Sequence, residues 1–533
     1  MGDMVMEKIG KKITGEIAAI LLVLGVAVWS VWPMVQNPSR VADYGKDGEL
    51  IVWIINQNVQ KLFPQNSDNV RVSERQRWGV FDGNIFYPYK NVLAYSEMFW
   101  PTSILTAIPS LVTKNPAVAF GWAMILGQVA TMLIVYGWWR EMTGNKWAAA
   151  VSAIALGLAQ FRWHYQVHLQ MWGMEWWLLG LWLFWRWMKN GKTWQMYAGA
   201  ALIGIQAWES VLPVYFAAAI FGVMFVILKP VVSMKKLLLA GAIAGLVMLP
   251  PVLAYQGVAR DFNYQRSIRD AAHNGVSVDE IYPWFGSWGY GILLAAAIVL
   301  LIRNKTTSNI RWMAAVMILG LVMALGPTLK WSGKTVKIAG RFAVPLPYAA
   351  AYYTVPGFGA LRTPSRWIWL AGWAGSGLIA VALSRLSKRK TLGITGALIV
   401  AIAGGVHLTK FRDIPTPENF PAVTEWLSRQ EGNIVAYLPM GDENTETERM
   451  LFSLSDGKTL INGFSGFMPP ERQKLTEKLM GDKWDTTGIE ELKSLGTDWV
   501  VVDKEKAQNY EAVLKENDLT KEYSDERWEV YRW

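Results

Sequence analysis

Eleven apolar runs dominate this chain and limit its fold more than any other feature. They fall at 17–36, 117–139, 147–163, 172–187, 194–208, 211–228, 237–256, 286–302, 312–328, 367–384 and 391–407. A helix needs about 20 such residues to cross the hydrocarbon core of a bilayer. The pattern predicts an α-helical polytopic membrane protein of about eleven transmembrane helices. A chain that is 52% hydrophobic and carries 30 Trp is not an ordinary soluble enzyme. The first run follows Lys8, Lys11 and Lys12 like the core of a signal peptide. It ends in Trp29, Trp32 and Pro33 without a small-x-small cleavage pattern, so it reads as an uncleaved anchor.

The basic residues set the orientation. Arg140/Lys146, Arg186/Lys189/Lys192, Lys229/Lys235/Lys236, Arg303/Lys305/Arg311 and Arg385/Lys388/Arg389/Lys390 fall in every second turn. All are cytoplasmic if the N-terminus is, as its lysines suggest. The net charge of +10 therefore marks membrane sidedness, and no nucleic acid partner is expected. Residues 98–113, "MFWPTSILTAIPSLVT", decide the parity. They are apolar but short and hold prolines at 101 and 109, so they read as an interfacial or re-entrant helix. The topology becomes N-terminus inside and C-terminus outside, in a bacterial inner (plasma) membrane. The sequon Asn304-Lys305-Thr306 falls in a cytoplasmic turn, and the absence of cysteine excludes thiol chemistry and disulfides.

Three regions then lie outside: 37–116, 329–366 with a smaller loop at 257–285, and the tail from about 412. The expected division is 1–411 as the transmembrane domain and 412–533 as a small extracytoplasmic α/β domain. In the tail, "NIVAYLP" (433–439) and "DWVVVD" (498–503) read as buried strands. "PAVTEWLSRQ" and "PPERQKLTEKLM" read as amphipathic helices, and "RWEVYRW" as a closing edge strand.

Polar chemistry gathers on the outer rim, with Glu175, Glu209 and His407 near outer span ends. "DGELIVWIINQNVQKLF", from Asp47, reads as an amphipathic helix lying in the interface, with Asp47 as its N-cap. Capping alone explains an Asp there; a carboxylate held at the rim is also placed to act as general base on a sugar hydroxyl. Asp43 is the alternate, and Glu49 is expected to face solvent. Glu97 falls at the start of the short interfacial helix, where the helix dipole favours an acid. His164 and His168, four apart in "FRWHYQVHLQMW", have a metal-compatible helical spacing but no acid ligand at fixed distance. Aromatic-belt and hydrogen-bonding roles suit His164 better. In "VPLPYAAAYYTVPGFGALRTPSRW", Arg362 and Arg366 sit at the mouth of the next span. They either snorkel to headgroups or clamp a phosphate bidentately.

Taken in order, "DGELIVW", "YP…LAYSE", "HLQ" and "PLPY…PGFGALRTPSR", with a tail carrying "YLPMG", "INGFSGFMPP" and "LGTDWVVVD", resemble the bacterial multi-spanning GT-C glycosyltransferase-like proteins. The likeness covers most of the chain. It implies a GT-C-like transferase that uses a polyprenyl-phosphate-linked sugar donor, with membrane lipid around it and a glycan, lipid or protein as acceptor. It implies Asp47 as catalytic base, with Glu97, His168, Arg362 and Arg366 lining the same cavity. Glu175 departs from the Gln expected after "HLQ". The first loop lacks Asp-x-Asp, so a divalent metal is not implied and no cofactor is assigned. Two readings compete: a flippase or transporter of lipid-linked sugars, and a non-catalytic membrane scaffold.

Overall fold

The computed structural model describes residues 2–43, 45–64, 79–264, 266–285, 288–303, 306–386, 410–481, 484–508 and 510–533. The apolar run 391–407, with His407 and the basic turn Lys388 to Lys390, lies outside them, as do Asn304 and Lys305. The chain forms two compact units. One comprises Met1–Val35, Met124–Met248 and Gln265–Thr409; the other comprises Gln36–Ala123, Leu249–Tyr264 and Lys410–Trp533.

The first unit is helical. Each apolar run within the described residues carries a helix, but the lengths differ. Among the described residues, four helices are long and apolar enough to cross a membrane: Ile13–Ser30, Val118–Thr143, Met234–Asp261 and Pro364–Ser384. The helices Glu175–Asn190, Thr193–Glu209, Leu212–Leu228 and Ser308–Ala324 have 16 or 17 residues. The run 147–163 is not one helix. It breaks after Lys146–Gly157 and resumes as Gln160–His164, because the Gly157 carbonyl accepts from the Gln128 amide and the Trp163 indole.

Helix Ile368–Ser384 is the centre of this unit, with nearly every residue buried. Its glycines permit close approach: a Cβ at Gly372 would stand 2.0 Å from the Phe161 ring, and one at Gly320 on the facing helix 2.6 Å from the Ala371 nitrogen. Small residues at helix contacts are how helices pack where lipid removes the hydrophobic drive between them. Indoles fill the space beyond, with Trp138 centred 5.0 Å from Trp373 and 5.2 Å from Trp139. Met234–Asp261 differs, being only 17% buried along its apolar window.

The second unit joins the expected first external loop to the tail. Strand β1 (Arg40–Ala42) pairs antiparallel with β2 (Phe411–Asp413). A five-stranded sheet follows, built from β3 (Ile434–Leu438), β4 (Thr459–Leu460), β5 (Trp499–Asp503), β6 (Thr520–Ser524) and β7 (Trp528–Arg532). Its order is β6-β7-β5-β3-β4. Strands β4, β3 and β5 are parallel; β7 and β6 add antiparallel. The "RWEVYRW" strand is therefore not an edge strand. The edge on that side is β6, whose "TKEYS" is mostly exposed, and charged residues suit a strand with unpaired backbone.

Helix Asp47–Leu62 also differs from expectation. It does not lie half-exposed in an interface; Gly48 through Val59 are all buried. Several of its polar side chains bond to protein groups. Asn56 donates to the Pro116 carbonyl at 2.9 Å, and Asn58 donates to the Met98 carbonyl at 2.8 Å and to Ser103 Oγ at 3.0 Å. Gln60 donates to the Leu454 carbonyl in the tail at 3.0 Å. By contrast, Trp100–Thr113 exposes Ile104, Leu105, Ile108 and Val112. At about 1.5 Å per residue its 14 residues reach about 21 Å, short of a bilayer core.

Candidate functional site

In the second unit the carboxylates cluster where the buried helix begins. Asp47 is its first helical residue, not its cap, because the Lys46 carbonyl already accepts from the Leu50 amide. Asp47 is partly exposed. Glu49, expected in solvent, is the buried member at 1% exposure. Lys46 Nζ lies 2.9 Å from its Oε1, and Arg412 Nη2 lies 2.6 Å from its Oε2. Arg412 also donates to the Gly45 carbonyl at 2.9 Å and stands 3.5 Å from Asp43 Oδ1. One guanidinium from the tail thus holds the segment that presents Asp43 and Asp47. The charge-assisted bonds to Glu49 fix that segment more firmly than neutral ones would.

Glu97 lies in this unit too. It precedes the helix Trp100–Thr113 by three residues instead of opening it, and it is partly exposed. Next to it, the Ser96 carbonyl accepts from the Tyr255 hydroxyl at 2.9 Å.

A lysine that the sequence reading passed over completes this unit. Lys61, in the last turn of the buried helix, donates to the Val80 carbonyl at 3.0 Å and to the Asp82 carbonyl. Burial lowers its pKa to about 8, against the opposing pull of Asp82.

In the first unit His168 opens the short helix Leu169–Trp172, while His164 closes Gln160–His164. The two histidines do not share a helix, so the four-residue spacing no longer places both on one face. His164 packs edge-on against Trp284, ring centres 4.4 Å apart.

The Tyr165 hydroxyl, three residues before His168, donates to Ser365 Oγ at 2.8 Å. That bond brings the His168 turn beside the Arg362–Arg366 segment. Arg362 is exposed. Arg366 lies in the 3-10 turn Pro364–Trp367, with a buried Nε that has no hydrogen-bond partner among the described residues.

The sequence reading also missed Arg162. It is 0% exposed, with its guanidinium 4.4 Å from the centre of the Trp172 ring and 5.5 Å from that of Trp369. None of its three side-chain nitrogens has a hydrogen-bond partner among the described residues, and Glu175 is the charge acting on it. The available signal was an arginine between aromatics at the end of an apolar run, a setting suited to cation–π contact.

No family model matches the chain, and no curated protein matches it. Among solved structures, ArnT from Cupriavidus metallidurans in the apo state is similar at 11% identity over 98% of both chains, with a TM-score of 0.47. The same protein bound to undecaprenyl phosphate gives 11% identity, 98% of both chains and a TM-score of 0.48.

Proposed function

We propose that this chain is a GT-C-type membrane glycosyltransferase that moves a sugar from a polyprenyl-phosphate donor to an acceptor on the extracytoplasmic face. The observation that carries the reading is the clamp of Arg412 and Lys46 on Glu49, which fixes Asp43 and Asp47 at the start of a buried helix. A general base is useful only where its position is held. Asp47 takes the proton of an acceptor hydroxyl, and that oxygen forms a bond to the anomeric carbon. The bond from that carbon to the lipid phosphate oxygen breaks, and the phosphate leaves with the electron pair. Displacement from the opposite side inverts the anomeric centre. Arg362 and Arg366 steady the departing charge, a role that suits an Arg366 Nε with no hydrogen-bond partner among the described residues.

Glu97 and His168 line the donor's path in this reading. Its topology places 1–411 in and around an inner membrane crossed eleven times, N-terminus cytoplasmic, with 412–533 outside.

The test uses purified protein in nanodiscs with a panel of radiolabelled polyprenyl-phosphate sugars, following release of lipid phosphate. Asp47→Asn is expected to lower turnover by roughly 10²–10⁴-fold, the usual worth of a general base. Binding without turnover for every donor, unchanged in the variant, would sink the transferase reading. A flippase of lipid-linked sugars is the second reading, favoured by the buried Arg162, since a buried charge among apolar helices is typical of transport paths. Full function in Asp47→Asn would select it.

A further inference from the structure

Residues 328–345 of the first unit form a small antiparallel sheet that the transfer reading does not use. Lys330–Trp331 pairs with Lys334–Thr335, and Lys337–Ile338 pairs with Phe342–Ala343. Between the two hairpins Val336 donates to the Leu329 carbonyl at 2.8 Å and accepts from the Val344 amide at 3.2 Å, and Thr328 bridges Pro345. The first turn is pinned. Asp279 accepts from the Ser332 amide and hydroxyl, both at 2.8 Å, and Lys330 Nζ donates to the His273 carbonyl at 3.0 Å.

The register sorts the side chains. Paired residues share a face and successive residues alternate, so Trp331, Lys334, Ile338 and Phe342 fall on one face. Thr335, Lys337 and Ala343 fall on the other. Among the described residues nothing covers the apolar members of the first face: Trp331 is 58% exposed, Ile338 61% and Phe342 71%. Bulky apolar side chains gathered at one exposed place mark a contact surface.

The charge around them has one sign. The loop 329–366 holds Lys330, Lys334, Lys337, Arg341, Arg362 and Arg366 and no acid; indeed no Asp or Glu occurs from 281 through 412. Lys334, Lys337 and Arg341 are exposed and form no ion pair among the described residues. In the proposed topology this loop is external, where such an excess is unusual and calls for a cause. The sheet also stays close to the membrane. It begins no more than about 22 Å of chain beyond the end of the apolar helix Ser308–Ala324, and the candidate span Pro364–Ser384 follows it.

We infer that this sheet docks on anionic phospholipid, with Trp331, Ile338 and Phe342 in the headgroup region and Lys334, Lys337 and Arg341 on the phosphates. Tryptophan favours that level of a bilayer. Lysine stems lie along apolar surface while their ammonium groups reach outward. Apolar area joined to positive charge is what holds a segment on an anionic membrane surface. An acidic protein would meet the charge, but the flanking apolar helices keep the sheet beside lipid. The docking needs a membrane protein and does not rest on the transfer reading.

The chain has no cysteine, so a single introduced one carries a unique label. Ile338→Cys and, on the opposite face, Thr335→Cys are labelled with a polarity-sensitive fluorophore in the full chain. Each is placed in nanodiscs of phosphatidylcholine and in discs of equal parts phosphatidylcholine and phosphatidylglycerol. For Ile338→Cys the ratio of lipid-inserted to water-exposed label is expected to be at least about fivefold higher in the anionic discs, roughly the worth of one cation at such a surface. Lys334→Gln/Lys337→Gln/Arg341→Gln should remove that excess while keeping the thermal midpoint in neutral discs. The inference is overturned if the Ile338→Cys label behaves alike in both discs, if the Thr335→Cys label inserts as readily, or if the triple variant keeps the excess. It is also overturned if the label is shielded only in discs holding two copies, which would make a second copy the occupant. Lipid-phosphate release, measured on the same samples, reports the transfer reading separately.

Discussion

Two buried ions in this molecule are treated in opposite ways. Glu49, at the start of the helix Asp47–Leu62, is enclosed by Lys46 and Arg412 at hydrogen-bonding distance. Arg162 is buried as deeply, yet its guanidinium meets indole faces and finds no acceptor among the described residues. Burial alone does not distinguish a structural ion from a poised one; the inventory of partners does. A buried charge whose partners are complete holds a fold together. One left incomplete persists despite a desolvation cost of several kcal/mol, so something other than stability maintains it.

The largest effect should come from breaking the complete site. Glu49→Ala leaves Arg412 and Lys46 without their partner, and we expect a loss of about 3 kcal/mol or more, seen as a lower thermal midpoint in nanodiscs. A midpoint equal to the wild type would mean that the clamp is not structural, and the contrast would collapse.

The second test addresses the incomplete site. Arg162→Met strands Glu175 and is expected to cost about 2 kcal/mol, whereas adding Glu175→Gln should recover most of it, within about 1 kcal/mol of wild type. Failure of the second change to rescue would show that Glu175 is not the counter-charge.

Lys61 is the intermediate case, half-buried with carbonyl acceptors but no ion pair at contact distance among the described residues, and its effect should be the smallest. Its reactivity toward an acylating reagent should titrate with an apparent pKa about 8, well below that of an ordinary lysine. Its folded pKa lies below its unfolded one, so the unfolded chain binds more protons between those values. Stability contributed at this position therefore rises as pH climbs from about 8 toward the ordinary lysine range. An apparent pKa above 10 would place Lys61 in water.

The elements were legible in the sequence where periodicity and local composition decide them. The helices under the apolar runs appear where expected, as do strands Ile434–Leu438 and Trp499–Asp503. What failed was environment. The helix from Asp47 has the moment of an interfacial helix, and nothing local shows that its polar side meets Pro116, Met98 and Leu454 rather than water. Glu49 was misjudged because its partner Arg412 stands 363 residues away. Arg162 was passed over because sequence shows the tryptophans around an arginine but not whether it has an acceptor. Glu97 and Asp47 were misplaced by one to three residues at helix starts, where boundaries are least determined by pattern.

The pairing of Arg40–Ala42 with Phe411–Asp413 has a bearing on how the protein is made. Arg40 and Asp413 are 373 positions apart, so the ribosome finishes the carboxylate-bearing helix long before its strand partner exists. Synthesis at about 5–20 residues per second puts tens of seconds between the two. Through that interval Glu49 has no Arg412, and the polar side of its helix has no tail to receive Gln60. The segment that presents Asp47 leaves the ribosome hundreds of residues before the groups that complete its surroundings.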